Sequence, residues 1–144
     1  MMKYYMAYGS NLNKAQMAFR CPDAVPVGLA VLQNWELVFR RGVLTIEPKQ
    51  GAAVPIGIWE ISDEDEKSLD RYEGFPRFYR KQYFPMMLRG GDVGDVMAYI
   101  MTDGFPIQEP SFAYLRTCSQ GYKDFGIDTK PLMKAYRKSK GGER

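Results

Sequence analysis

The stretch Tyr8-Gly9-Ser10-Asn11-Leu12 decides how the chain is interpreted. It ends the first apolar run, 4–8, which belongs to a predicted buried strand over 3–8, and it precedes a helix-like segment over 13–20. The predicted local fold is therefore a strand that enters a tight Gly-Ser-Asn turn and leaves it as a helix. Gly9 permits backbone angles closed to other residues and lets a ligand approach the backbone closely.

The N–H groups at the start of that helix form a natural seat for an anion such as a carboxylate. Ser10, Asn11 and Asn13 are all candidate caps, because each side-chain oxygen can accept a hydrogen bond from a free N–H group. The alternative is an ordinary strand–helix turn with good capping and no ligand. Short turns of this composition are common, so composition alone favours the simpler explanation.

Composition is that of a globular protein with one core. The 144 residues suffice for a single domain over 1–144. Ten Tyr, eight Phe and two Trp favour strands and an aromatic-lined cavity over a helical bundle. No apolar run approaches the ~20 residues that span a bilayer. The N-terminus lacks the apolar region of a signal peptide. We therefore expect a cytoplasmic protein without a membrane partner.

The chain contains no histidine, and this excludes several kinds of chemistry. Catalysis by Ser-His-Asp or Cys-His groups is impossible. Cys21 and Cys118 lie far apart and lack a metal or redox spacing, so we expect two free thiols and no metal site. A general base that works near neutral pH must then be a carboxylate, a lysine or a tyrosine.

Positive charge is concentrated at the C-terminus. Residues 130–144 hold six Lys and Arg and one Glu, a net +5, so residues 1–129 carry −2 of the total of +3. A mildly acidic body argues against a nucleic-acid surface spread over the fold. Residues 139–144 have no apolar side chain to bury and are predicted to be a disordered basic tail.

The rest of the pattern consists of strands with a few short helices. The predicted strands are 24–40, 43–46, 54–61, 78–88 and 93–101. The predicted helices are 63–72, 112–120 and 129–137. We expect a bend near Gln33-Asn34, a loop between the second and third of these strands, a hairpin turn at 89–92, and a helix end at Gly121. Regular β-α-β alternation is missing. The predicted fold class is α+β, a small mixed, mostly antiparallel β-barrel with peripheral helices.

Glu73 is the candidate general acid/base. It lies where a helix gives way to Gly74, and the helix dipole disfavours a negative charge there. The aromatic neighbours Tyr72, Phe75 and Phe78 would exclude water from it. Both effects raise the pKa of a carboxyl group, which suits proton transfer. A solvated glutamate in a turn is the simpler alternative.

Tyr79, Tyr99 and Tyr114 are candidate pocket residues. They lie on or beside later elements, where aromatic side chains could line a cavity. Spacing alone supports an ordinary aromatic core equally well.

Several further motifs accompany the opening turn. They are Gln16-Met17, Arg20-Cys21-Pro22, Leu69-Asp70-Arg71-Tyr72-Glu73-Gly74 and Tyr79-Arg80. Together with Tyr8–Leu12 they resemble the γ-glutamylcyclotransferase-like family, which includes the AIG2-like proteins, over about residues 3–125. The turn and the Glu-Gly pair are each weak signals, but at this separation they are together highly specific. The family's small mixed barrel with flanking helices agrees with the predicted fold.

The resemblance implies an enzyme that releases 5-oxoproline from a γ-glutamyl compound, with no cofactor and no metal. The substrate's α-amine would attack its own γ-carbonyl carbon, and the amine on the far side would leave. The family's catalytic glutamate matches Glu73. Its substrate-holding residues match Tyr8, Gly9, Ser10, Asn11 and Leu12, and more loosely Tyr79, Tyr99 and Tyr114, because the loops between the motifs vary in length.

Two functions of other classes remain as alternatives. One is a non-catalytic small-molecule-binding module on the same barrel, and the retention of Glu73 argues against it. The other is a barrel that binds single-stranded nucleic acid by aromatic stacking, and the acidic body argues against it. The expected partner is a small γ-glutamyl substrate. The motif recognises only its γ-glutamyl half, so glutathione, γ-glutamyl amino acids, γ-glutamyl-ε-lysine and γ-glutamyl amines are equal candidates.

Overall fold

The computed structural model describes residues 3–87 and 93–141. The strands are β1 (Lys3–Ala7), β2 (Val25–Arg40), β3 (Val43–Ile61), β4 (Tyr79–Met87) and β5 (Val93–Met101). The helices are α1 (Lys14–Arg20), α2 (Asp63–Glu73), α3 (Phe112–Asp124) and α4 (Lys130–Ser139). A 3₁₀ turn, Ser10–Leu12, connects β1 to α1. The hairpin turn predicted at 89–92 lies outside the described residues.

The five strands form one mixed sheet in the order β2-β3-β1-β5-β4. β1 is central, antiparallel to β3 and parallel to β5, whereas the other pairings are antiparallel. Its central position explains why Tyr5, Met6 and Ala7 are buried in succession, with no alternation of polar and apolar residues. The predicted α+β class and the mostly antiparallel arrangement are confirmed.

Closure into a barrel by hydrogen bonds is absent among the described strands, and the sheet is open at β2 and β4. The two edges approach one another through side chains instead. The rings of Trp35 on β2 and Phe84 on β4 meet edge to face, with their centroids 5.3 Å apart. Packing of this kind covers the interior without a continuous ladder of backbone bonds.

The β2–β3 hairpin is more regular than predicted. Arg41 and Gly42 form its two-residue turn with φ of 53° and 80°, as a type I′ hairpin turn requires. The bend near Gln33-Asn34 is confirmed by a shift of register there. The predicted loop between 46 and 54 is wrong, because β3 runs through it without interruption. Gly51 (φ 84°) donates its N–H to Asn34 Oδ1 at 3.0 Å. Both strands are therefore irregular at these two residues, but they continue past them without a loop.

Helix α3 continues past its predicted end. Gly121 lies inside the helix and is buried, because α3 packs directly against the turn after β1. A Cβ atom on Gly121 would lie 2.5 Å from Asn13 N and 2.7 Å from Leu12 C. The glycine therefore permits close packing and does not end the helix.

Helix α4 ends at Ser139, two residues later than predicted, and Lys140 and Gly141 form a turn after it. The disordered basic tail over 139–144 stays a prediction. Residues 142–144 lie outside the described part of the chain. Within the described residues, no helix is long and apolar enough to cross a membrane. The single domain over 1–144 stays a prediction.

We expect Gly121→Ala to lower the free energy of unfolding by about 1–3 kcal/mol, because the added methyl group forces α3 away from the turn. Gly28→Ala in β2 is the matched control, since its Cβ would meet no atom within 4 Å. Urea unfolding of both variants measures the difference. Equal loss of stability in the two variants would contradict the close packing of α3.

Candidate active site

A cavity of about 260 Å³ lies where the turn after β1 meets the end of α2. This volume is slightly below the roughly 300–1,000 Å³ of pockets for drug-sized ligands, so it suits a small molecule. Its lining residues are Tyr5, Tyr8, Gly9, Ser10, Asn11, Val43, Leu44, Tyr72, Glu73, Phe78, Tyr79, Tyr99 and Tyr114. Glu73 is the one charged residue of this lining among the described residues.

The cavity brings together eight of the nine predicted site residues, all except Leu12. The side chain of Leu12 is fully buried in the core, close to the α-carbons of Gly57 and Gly121. Its backbone N–H donates to Gly9 O at 3.1 Å. The prediction that Leu12 contacts the substrate is therefore not supported by its position, because the 3₁₀ turn directs this residue away from the cavity.

Five lining residues were not predicted as site residues. They are Tyr5, Val43, Leu44, Tyr72 and Phe78. Tyr72 and Phe78 had a local signal, since both were recognised as neighbours of Glu73. Val43 and Leu44 had none, because the β2–β3 hairpin brings them to the cavity from a distant part of the chain.

Glu73 is the last residue of α2, and Gly74 follows it in the left-handed conformation (φ 66°) that ends the helix. Ser62 and Asp65 form a capping box at the other end of α2. Burial raises the pKa of Glu73 from its ordinary 4.5 to about 8, and the positive charge of Arg20 partly opposes this rise. Removal of water, which disfavours the charged form, is thus the main cause.

The turn after β1 presents backbone donors to the cavity. Asn13 caps α1, with Oδ1 accepting from Gln16 N at 3.0 Å, and its own N–H donates to Ser10 O. Within 3–87 and 93–141, the N–H groups of Gly9, Ser10 and Asn11 have no hydrogen-bond acceptor. These amides belong to Gly9 and to the first two residues of the 3₁₀ turn, and not to the N-terminus of α1, where the anion seat was predicted.

The side chains of this turn bond within the protein. Ser10 Oγ lies 3.0 Å from Tyr72 Oη, so the predicted cap is instead part of the cavity rim. Asn11 Nδ2 donates to Tyr5 Oη at 2.9 Å and lies 3.4 Å from Glu73 Oε2. Of the three candidate caps, only Asn13 therefore acts as one in the described residues.

The four predicted tyrosines form the walls of the cavity, and their hydroxyl groups bond to the surrounding frame. Tyr8 and Tyr79 donate to the backbone oxygens of Tyr99 and Leu44, at 2.5 and 2.6 Å. Tyr99 donates to Asp70 Oδ1 at 2.6 Å, and Tyr114 Oη accepts from Leu44 N at 3.1 Å. Burial raises the pKa of each of these phenols above its usual value, so they stay neutral.

A model of the family described as gamma-glutamyl cyclotransferase, AIG2-like, matches residues 5–118. The match covers well over half of the chain and includes the turn, Glu73 and all four tyrosines. The chain belongs to this family. The resemblance inferred from the motifs is thereby confirmed.

Several known proteins are similar to most of this chain. The gamma-glutamylcyclotransferase of Mus musculus is 29% identical over 135 residues, which cover 85% of this chain and 71% of the mouse protein. A solved gamma-glutamyl cyclotransferase is 26% identical, with a TM-score of 0.76 and coverage of 99% of this chain and 89% of its own. An uncharacterised Homo sapiens protein is 27% identical, with a TM-score of 0.77 and coverage of 99% and 88%.

The raised pKa of Glu73 predicts a pH-dependent stability for this cyclotransferase family member. Between pH 4.5 and 8 the folded protein holds a proton that the unfolded chain has lost. Stability therefore falls as pH rises through this window, by about 1.4 kcal/mol per pH unit. Glu73→Gln lacks the titration, so its advantage in free energy of unfolding over the wild type should grow across the window.

Urea unfolding at several pH values between 4.5 and 8 measures this difference. Glu64→Gln supplies the baseline for charge removal, because Glu64 is an exposed acid of the same helix. A difference between Glu73→Gln and wild type that stays constant with pH would contradict a half-buried Glu73 that is protonated in this range.

Proposed function

We propose that the chain is a γ-glutamylcyclotransferase that releases 5-oxoproline from a small γ-glutamyl substrate, with Glu73 as the general acid/base. The observation that supports this most directly is the carboxyl group of Glu73, whose pKa is raised, in an aromatic cavity next to a turn. Three amides of that turn have no acceptor among the described residues. Family membership supports the reaction class. The proposed site needs no cofactor and no metal.

In the proposed reaction Glu73 accepts one proton and then passes it on. The α-ammonium group of the substrate gives a proton to the Glu73 carboxylate, and the neutral amine then attacks the γ-carbonyl carbon to form a new C–N bond. The resulting tetrahedral intermediate collapses as Glu73 returns a proton to the departing nitrogen and the original C–N bond breaks. The ring nitrogen, which carries one proton too many after the attack, releases that proton to water, and this gives the neutral lactam of 5-oxoproline. A pKa of about 8 suits both steps, because it lies near the working pH.

The remaining lining residues would bind and orient the substrate. The N–H groups of Gly9, Ser10 and Asn11 would hold an anionic oxygen, either the α-carboxylate or the oxyanion of the intermediate. The rings of Tyr8, Tyr79, Tyr99 and Tyr114 would enclose the γ-glutamyl chain. A small cavity favours the folded substrate in which amine and carbonyl meet, which is an orientation effect on the rate.

A cytoplasmic location belongs to the same proposal. Cys21 and Cys118 are both buried and both free thiols. Free thiols are typical of proteins from reducing compartments. The location itself stays a prediction.

A panel of γ-glutamyl compounds, incubated with the pure protein, tests the proposed activity. It should contain glutathione, γ-glutamyl amino acids, γ-glutamyl-ε-lysine and γ-glutamyl amines. Mass spectrometry should detect 5-oxoproline from at least one of them. Glu73→Gln keeps the shape of the side chain but cannot exchange the proton, so its turnover should fall by about 10²–10⁴.

Glu64→Gln is again the matched control, because it removes one carboxylate from the same helix outside the cavity. It should turn over the identified substrate like the wild type. Wild-type turnover by Glu73→Gln would show that Glu73 is not the acid/base. A panel without any 5-oxoproline would contradict the proposed activity as a whole.

Gly9→Ala should impair turnover more than Ser10→Ala. A Cβ atom on Gly9 would lie 3.3 Å from Leu44 Cδ1 and 3.4 Å from Tyr114 Oη, so one of these cavity walls must move. Ser10→Ala loses only the contact with Tyr72 and keeps its backbone donor. Thermal melts establish that both variants fold, and kinetics on one substrate compare them. An inactive Ser10→Ala beside a normal Gly9→Ala would indicate that the hydroxyl, and not the backbone, performs the chemistry.

A further inference from the structure

Arg20, the last residue of α1, is held at the outer side of the cavity wall by three contacts. Its guanidinium carbon lies 3.5 Å from the ring centroid of Tyr72. Its Nη2 donates to Gln16 Oε1 at 2.9 Å, and its Nη1 donates to Asn11 Oδ1 at 2.5 Å. Contacts with α1, α2 and the turn after β1 thus fix one cation beside the cavity.

This cation decides the orientation of the Asn11 amide. A guanidinium group has only donors, so Asn11 must turn its oxygen toward Arg20. The Asn11 NH₂ group then faces Tyr5 Oη at 2.9 Å and Glu73 Oε2 at 3.4 Å. Asn11 cannot shift as a whole, because its backbone oxygen accepts from Trp59 Nε1 at 2.9 Å. Both hydrogens of the amide are therefore directed to groups within the protein.

We propose that Arg20 is a positioning residue, which acts through Asn11 to keep an N–H donor on Glu73 and so favours the carboxylate form that accepts the substrate's proton. The inference rests on the proposed function. In the absence of Arg20, the Asn11 amide is free to rotate and present its oxygen to Glu73. An oxygen in that place favours the protonated acid and disfavours the carboxylate.

The other groups around Glu73 do not supply this effect. The titratable side chains that face it are phenols, namely Tyr5 and Tyr8 at β1, Tyr72 on α2, Tyr79 on β4, Tyr99 on β5 and Tyr114 on α3. Asp70, one turn earlier on α2, pairs with Lys81 at 3.0 Å. Arg20 is therefore the cation whose charge acts on Glu73 among the described residues.

The first test compares Arg20→Met with Lys14→Met. Each removes one positive charge from α1, but Lys14 Nζ lies over the ring of Phe125, 5.2 Å from its centroid, and outside the cavity lining. Arg20→Met should move the acid-side midpoint of the kcat/KM profile upward by about one pH unit. Below the midpoint this lowers kcat/KM about tenfold, and the difference should shrink at higher pH. Lys14→Met should keep the wild-type midpoint.

A double-mutant comparison tests the transmission through Asn11. In an Asn11→Ala background, Arg20→Met should shift the midpoint clearly less than in the wild type, because only the direct charge effect remains. Arg20→Lys, which keeps the charge and one donor, should recover part of the wild-type midpoint. Equal shifts in both backgrounds would overturn the role of Asn11. Equal midpoints for Arg20→Met and Lys14→Met would overturn the role of Arg20.

Carbon-13 NMR of the glutamate carboxyl groups gives a second measurement that needs no substrate. It follows the titration of Glu73 in the wild type and in each folded variant, with Glu73→Gln assigning the signal. If no γ-glutamyl compound is turned over but the Glu73 midpoint still moves in Arg20→Met, the proposed function fails and the role of Arg20 is supported. If Arg20→Met does not fold, the Glu73 midpoint is measured in Arg20→Lys and in Asn11→Ala instead. A midpoint that equals the wild-type value in both variants overturns the proposal.

Discussion

The site depends on how the turn after β1 is held between α3 and the sheet. Tyr122 of α3 donates its hydroxyl to Tyr8 O at 2.9 Å, and Asn13 Nδ2 donates to Thr117 O at 3.1 Å. Trp59 of β3 donates to Asn11 O from the other side. These bonds join residues that are 48 to 114 positions apart in the chain. They fix the turn as part of the core, so its amides and the Asn11 side chain meet the end of α2 in one arrangement.

Helix α2 is held in place by a partly buried charge network. Glu66 accepts from Lys3 of β1 at 2.5 Å and from Lys81 of β4 at 2.6 Å. One turn later, Asp70 accepts from Lys81 and from the hydroxyl of Tyr99 on β5. Each acid therefore has partners that compensate its lost hydration, as buried charges require. Glu73 is almost one further turn along the same helix, where the network ends and the cavity begins.

The difference between Glu66 and Glu73 explains how one helix holds acids of opposite character. Two lysines beside Glu66 outweigh its burial, and the pKa of that carboxyl is lowered. Among the described residues, Arg20 is the cation whose charge acts on Glu73, and its hydrogen bonds go to Asn11 and Gln16 and not to the carboxylate itself. Burial prevails there, and the pKa rises to about 8. Partial burial of such an acid lowers the stability of the fold, but it also raises the pKa of the carboxyl group. The raised pKa is what allows a carboxylate to accept a proton near neutral pH.

The sequence by itself determined the local elements. The strand-turn-helix around Gly9, the Gly74 helix end and the bend at Gln33-Asn34 could all be predicted from the sequence, because each depends on residues within one or two turns of the chain. The candidate Glu73 came from the same kind of signal, an acid at a helix end among aromatic residues. Most predicted site residues could be named in this way.

Tertiary structure decided what these local elements do. The sequence predicts that Gly121 ends a helix, but the close approach of α3 to Asn13 makes it a packing residue. Leu12 belongs to the site motif, but its side chain is buried in the core. The bond network of Asn11 joins Tyr5, Arg20 and Glu73, up to 62 positions away in the chain. Orientation of an amide and burial of a carboxyl depend on such distant neighbours, and no local pattern of residues contains them.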